Sequence, residues 1–174
     1  MNTHRLPGLT VALLACALLL SACGKNAEAP VTAQDITQES FCALDGMLLA
    51  DYPGPKAQIH YSGQAAPEFY CDTMEMFALL LKPEQARLVS AAFVQDMARA
   101  DWNMPRGAWI DAKSAFYVVG SKKRGAMGPT LPSFGSRESA QKFADAEGGK
   151  VLAFAEITPD MTRLDGGALH DKRM

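Results

Sequence analysis

Histidine is scarce in this 174-residue chain, with three in all, at positions 4, 60 and 170. His4 sits in an apolar leader and His170 in a polar tail, so a Ser-His-Asp or Cys-His arrangement would rest on His60 alone. Basic runs are missing as well. The 17 Lys and Arg and the 19 Asp and Glu residues are scattered, for a formal net charge of −2, and nowhere dense enough to neutralise several phosphates. No glycine-rich phosphate loop follows a candidate strand, and beyond residue 22 there is no Cys-x-x-Cys pair and no zinc-type ligand cluster. These gaps speak against an enzyme and against nucleic-acid binding. What remains is an ordinary globular composition, 48% hydrophobic and 21% charged, with sulfur in surplus: four Cys and nine Met.

Processing reduces that surplus. His4 and Arg5 make a short basic start, and residues 10–20 (TVALLACALLL) form an apolar run of eleven, well short of the roughly 20 that span a bilayer. The run ends in Leu20-Ser21-Ala22-Cys23, which resembles the lipobox of bacterial lipoproteins. Residues 1–22 are then a signal peptide and Cys23 is the acylated N-terminus. Gly24, rather than Asp, after that cysteine agrees with onward export to an outer membrane. Arg5 is the single charged residue removed, leaving 16 basic against 19 acidic residues, a net charge of −3. Cys42 and Cys71 are the remaining free thiols, in a compartment where an unprotected pair tends toward a disulfide.

Residues 23–40 are polar and small without an apolar period, and read as the lipidated cysteine followed by a flexible tether. The segments 56–61 (KAQIHY) and 67–70 (PEFY) flank Ser62-Gly63-Gln64, a hairpin signal. Asp72 or Thr73 caps a helix with Met74, Phe77, Ala78 and Leu81 on one face, stopped by Lys82-Pro83, and residues 86–94 follow as a strand. The order recurs. Residues 109–112 and 116–120 form a hairpin candidate around Lys113-Ser114, Ser136 caps a helix that ends at Gly148-Gly149, and 150–157 is a closing strand. The reading is an α+β fold of two tandem ββαβ units with mostly antiparallel sheet, at 41–104 and 105–160, before a polar tail at 161–174.

The chemistry concentrates in Cys42-Ala43-Leu44-Asp45-Gly46-Met47, where Gly46 permits a tight turn that points two sulfurs into one space. Thiolate and thioether together suit a soft monovalent metal such as Cu(I), whereas Mg²⁺ and Ca²⁺ demand oxygen. Equally, Cys42 reads as a small buried hydrophobe and Met47 as a core filler, or Cys42 pairs with Cys71 in a disulfide. Arg124-Gly125-Ala126-Met127-Gly128-Pro129 describes a loop tip, and a methionine there can swing onto a metal held by Cys42 and Met47. Met74 and Met76, two apart on a helix, cannot share a face, so one of them reads as core, and Met97 and Met104 beside Trp102 read as packing.

The lipobox, the Cys42–Met47 turn, residues 50–59 (ADYPGPKAQI), Phe69-Tyr70-Cys71-Asp72-Thr73 and Gly125-Ala126-Met127-Gly128-Pro129, in that order, resemble the NosL family of lipoprotein accessory factors for nitrous oxide reductase. The resemblance covers about residues 41–157. It implies a monomeric, periplasmic, lipid-anchored chaperone that binds one Cu(I) and passes it on, with nitrous oxide reductase and the ABC-type NosDFY complex as partners. It further implies that Cys42, Met47 and Met127 are the ligands, and leaves Cys71 structural. Many relatives read Cys-x-x-Cys-Gly-Met where this chain has Asp45, so Asp45 and, less directly, His60 are candidates for an additional or exchanging ligand. The competing expectation is a metal-free lipoprotein adaptor closed by a Cys42–Cys71 disulfide.

Overall fold

The computed structural model describes residues 30–164. The signal segment 1–22, Cys23, and His170 and Met174 of the tail lie outside the described residues. Among the described residues no helix is long and apolar enough to cross a membrane.

Strands β1 (Ala57–Tyr61) and β2 (Glu68–Tyr70) form the expected antiparallel hairpin, with Ala57 opposite Tyr70. The chain then enters helix α1 (Thr73–Leu80), where Asp72 is the N-cap and its carboxylate accepts from the Met74 N–H at 2.8 Å. Thr73, Glu75, Met76 and Phe77 of α1 are buried; of the expected face, Phe77 is in the core and Met74 and Leu81 pack half-buried against it, while Met76 joins the core unexpectedly. Strand β3 (Val89–Gln95) returns antiparallel to β1. In the second half, β5 (Phe116–Val119) pairs with β8 (Ser133–Phe134), helix α2 (Arg137–Glu147) follows with Ser136 as N-cap and Gly148 at its end, and β9 (Lys150–Ala153) pairs with β5. The sheet orders are therefore β2-β1-β3 and β8-β5-β9, the same ββαβ path taken twice, in an α+β fold whose strand pairings are antiparallel.

The repeat begins later than the sequence pattern suggests. Strand β4 (Trp109–Asp111) does not make a hairpin with β5; it pairs with β3 as an outer strand of the first sheet. The turn at Lys113-Ser114 is real, with the Ser114 N–H donating to Asp111 Oδ1 at 2.9 Å, but Ala112 and Ala115 on either side of it are buried. The segment crosses the core from one sheet to the other, and the Tyr117 hydroxyl fixes the crossing by donating to the Ala112 carbonyl at 2.7 Å. Between β5 and β8 lies a two-residue-tipped ribbon, β6 (Arg124–Gly125) and β7 (Gly128–Pro129), with Ala126 and Met127 at its tip.

One core joins the repeats. Phe77 of α1 meets the Tyr117 ring of β5 edge-on at 4.9 Å, among Ile59, Tyr70, Met76, Leu131 and Leu152. Every residue of β1 is buried: Ala57, Ile59 and Tyr61 belong to this core, while Gln58 takes the incoming chain. Gln58 Oε1 accepts from the Gln34 N–H at 2.9 Å, and Gln58 Nε2 donates to the Gln34 carbonyl at 2.7 Å. The tether expected over 23–40 is thus docked by Gln34, and Ile36 is buried beside Cys42. Its backbone pairs with a buried amide side chain, an interaction that a polar composition does not preclude.

Candidate metal centre

The turn after Ser40 folds as the sequence requires. The Cys42 N–H donates to the Met47 carbonyl at 2.8 Å and the Gly46 N–H to the Cys42 carbonyl at 2.9 Å, with Gly46 at φ +77°. Asp45 Oδ1 accepts from the Met47 N–H at 2.9 Å, closing the loop from inside. A parallel bridge joins Cys42 to Phe69, so the turn lies along the outer edge of β2. That pairing carries Cys42 to the junction of β2 and α1, where Cys71 and Glu75 stand one helical turn apart.

Four side chains converge there. Ligating atoms of Cys42, Asp45, Cys71 and Glu75 lie within 4.8 Å of one another. The Cys42 thiol donates to Glu75 Oε2 at 3.2 Å, the Cys71 thiol lies 3.3 Å from the same oxygen, and the Cys71 N–H also donates to it at 3.1 Å. Cys71 Sγ is 4.0 Å from Asp45 Oδ2. Cys42, Cys71 and Glu75 are at most 1% exposed, whereas Asp45 faces solvent. Both cysteines are free thiols.

The electrostatics separate the two thiols. A hydrogen bond from Cys71, aided by the N–H groups of Cys71, Leu44 and Asp45, holds the Cys42 thiol below the usual range despite its burial. Giving its proton to that bond, burial and the Glu75 carboxylate all push Cys71 up. Cys42 is therefore the thiol poised to lose its proton. Beneath them Lys56 is fully buried, its ammonium donating to the Pro53 carbonyl at 2.8 Å. Burial lowers it to about 8, against the pull of Asp72, the two cysteines and Glu75. Burial likewise raises Asp72 to about 7.

The sequence-derived candidates are brought together unequally. Met47 is half-buried against the cluster of Ile36, Cys42, Leu49 and Cys71. Ala126, at the tip of the β6–β7 ribbon, packs on that same cluster, and the adjacent Met127 is 41% exposed. His60 stands apart from the four convergent groups: its Nε2 is 2.9 Å from Gln58 Oε1, its ring meets Phe93 edge-on, and burial lowers its pKa. Cys71, expected to be structural, and Glu75, not singled out by the sequence, sit at the heart of the cluster. Their four-residue spacing across the Asp72 cap was the available signal, since a residue just before a helix and one in its first turn share a side. Of the remaining methionines, Met76 is core and Met97 packs beside α2, but Met104 is exposed rather than packed.

The donor set is chemically mixed. Two thiols and two carboxylates converge, with the Met47 thioether packed beside them, and sulfur favours a soft cation over Mg²⁺ or Ca²⁺. Comparison with known proteins points the same way. Residues 33–162 match the sequence model of the NosL family. The copper-binding lipoprotein NosL of Achromobacter cycloclastes is 45% identical over 154 residues, 86% of this chain and 80% of that one. The copper-binding lipoprotein NosL of Stutzerimonas stutzeri is 34% identical over 175 residues, 97% and 91% of the two chains. The crystal structure of the copper chaperone NosL from Shewanella denitrificans superposes with a TM-score of 0.72 at 37% identity, covering 76% of this chain and 99% of that one. Family match, relatives and fold agree, and the chain belongs to the NosL family.

Proposed function

We propose that this protein is a copper-binding lipoprotein of the bacterial envelope that carries Cu(I) as cargo. Cys42 supplies the thiolate, Met47 and Met127 the thioethers, and Asp45 an exchanging oxygen at the solvent side. His60, committed to Gln58, is left out of the ligand set. The observation that carries this reading is a buried thiol with a depressed pKa on an exposed turn, packed against Met47 and against the residue preceding Met127. Binding releases the Cys42 proton and forms a copper–sulfur bond; the methionines carry no proton in this pH range, so their share of the binding is not lost by protonation.

Delivery proceeds by ligand exchange. Three sulfur ligands near the protein edge leave a coordination position open, so an acceptor bonds to copper before the donor lets go and no free ion is released. The acceptor is the maturation machinery of nitrous oxide reductase, the NosDFY complex and the enzyme itself. An acyl chain on Cys23, in the outer membrane, confines the carrier to a surface on the periplasmic side and raises its effective concentration there.

Anaerobic titration of the purified protein with Cu(I) against a competing chelator tests the site. One equivalent is expected to bind, and Cys42→Ser and Met127→Ala are each expected to weaken it about tenfold or more. Wild-type affinity in both variants would show the site to be wrong. No free thiol and no bound copper would favour the disulfide-closed adaptor instead.

A further inference from the structure

Asp72 does more than cap a helix. The corresponding cap of α2 is Ser136, exposed and uncharged, which shows that this turn can begin on a hydroxyl. Asp72 instead places a carboxylate in the interior, 1% exposed, at a desolvation cost. Its Oδ1 accepts twice at 2.8 Å, from the Met74 N–H and from the Thr130 hydroxyl. Thr130 directly follows β7, so the second bond ties the foot of the β6–β7 ribbon to the residue between Cys71 and α1. Asp72 Oδ2 has no hydrogen-bond partner among the described residues and faces the ribbon itself.

The fit on that side is close. A Cβ at Gly125 would lie 2.2 Å from Asp72 Oδ2 and 2.9 Å from Thr130 Cβ, so β6 rests on the carboxylate with no room for a side chain. On its other side, a Cβ at Gly54 would lie 2.7 Å from Gly125 Cα. The Trp102 indole N–H holds the Arg124 carbonyl at 3.1 Å. The ribbon is clamped at its foot by these three contacts, and at its tip Ala126, next to Met127, packs on the cluster of Cys42 and Cys71.

We propose that Asp72, acting through Thr130 and against Gly125, is the positioning residue that sets Met127 relative to Cys42. This rests on the reading of Met127 as a ligand. Cys42 with Met47, and Met127, belong to different repeats, and one carboxylate holds both sides: its backbone continues from Cys71, and its side chain seats the ribbon.

The test is a double-mutant cycle in Cu(I) affinity. Thr130→Val removes the hydroxyl at nearly constant volume and is expected to weaken binding about tenfold, the scale of one lost hydrogen bond to a carboxylate. Thr130→Ser is expected to restore it. In a Met127→Ala background Thr130→Val is expected to cost nothing further, because the residue it positions is gone. Gly125→Ala, whose methyl would collide with both Asp72 Oδ2 and Thr130 and so drives the ribbon off the carboxylate, is expected to show the same dependence on Met127. Circular dichroism checks that each variant is folded. Full additivity of either variant with Met127→Ala, or failure of serine to restore affinity, would overturn positioning by Asp72 while leaving Met127 a ligand. Wild-type affinity in Met127→Ala alone would overturn the ligand reading and this proposal with it.

Discussion

The two ββαβ repeats follow the same path, yet the junction between second strand and helix is built from different chemistry in each. In the first, Cys71, Asp72 and Glu75 are all buried; at the matching places in the second stand Gly135 and Ser136, both exposed, and the half-buried Ser139. Aligned on their N-caps, thiol corresponds to glycine and the two carboxylates to two hydroxyls. The second repeat contributes elsewhere. Where the first has a short turn between its opening strands, the second inserts the β6–β7 ribbon, which reaches the first repeat's sulfur cluster through Ala126. The same path is used twice, and the candidate metal centre lies where the two junctions differ in chemistry.

The helices diverge in the same sense. Phe77 of α1 is fully buried between Tyr117 and Phe154, whereas Phe143 of α2 is half-buried against Phe134 and Trp102. Phe77→Ala should therefore be the largest perturbation, costing about 3–5 kcal/mol, with Phe143→Ala costing roughly half as much. Urea unfolding of the two variants measures this, and equal losses would break the contrast. The caps come next. Asp72→Ala strands the Met74 N–H and the Thr130 hydroxyl in the interior and should cost about 2 kcal/mol, against about 0.5–1 kcal/mol for the exposed Ser136→Ala.

The smallest effect is a pH dependence assigned to the first repeat, because the second contains no histidine. Burial lowers the His60 pKa from 6.5, so the folded state resists its protonation. The stability is fully present above the unfolded value and is lost as pH falls through the depressed folded value. Asp72, raised to about 7, acts in the opposite sense over the same range, so the His60 share is read as the difference between wild type and His60→Gln in thermal melts between pH 7 and 5: the wild type should lose stability relative to the variant as pH falls.

Much of this was legible in the sequence because it is local. The hairpin around Ser62-Gly63, the caps at Asp72 and Ser136 and the stop at Gly148 each follow from residues within a few positions. What escaped was decided over distance. Trp109–Asp111 carries a strand pattern and a turn signal, but whether it pairs with β5 or β3 depends on the open edge of β3, which no local window contains. Gln34 looks like linker until Gln58 is known to be buried beneath it. Cys71 and Glu75 join Cys42 because the Cys42 turn pairs with Phe69, a contact across 27 positions that brings together residues unremarkable one by one.

The sulfur ligand set is tested most directly by X-ray absorption at the copper edge of the Cu(I)-loaded protein, recorded for wild type and for Met127→Ala. A first shell of three sulfurs that falls to two in the variant is the expected result. A shell dominated by oxygen or nitrogen, or one that Met127→Ala leaves unchanged, would contradict it.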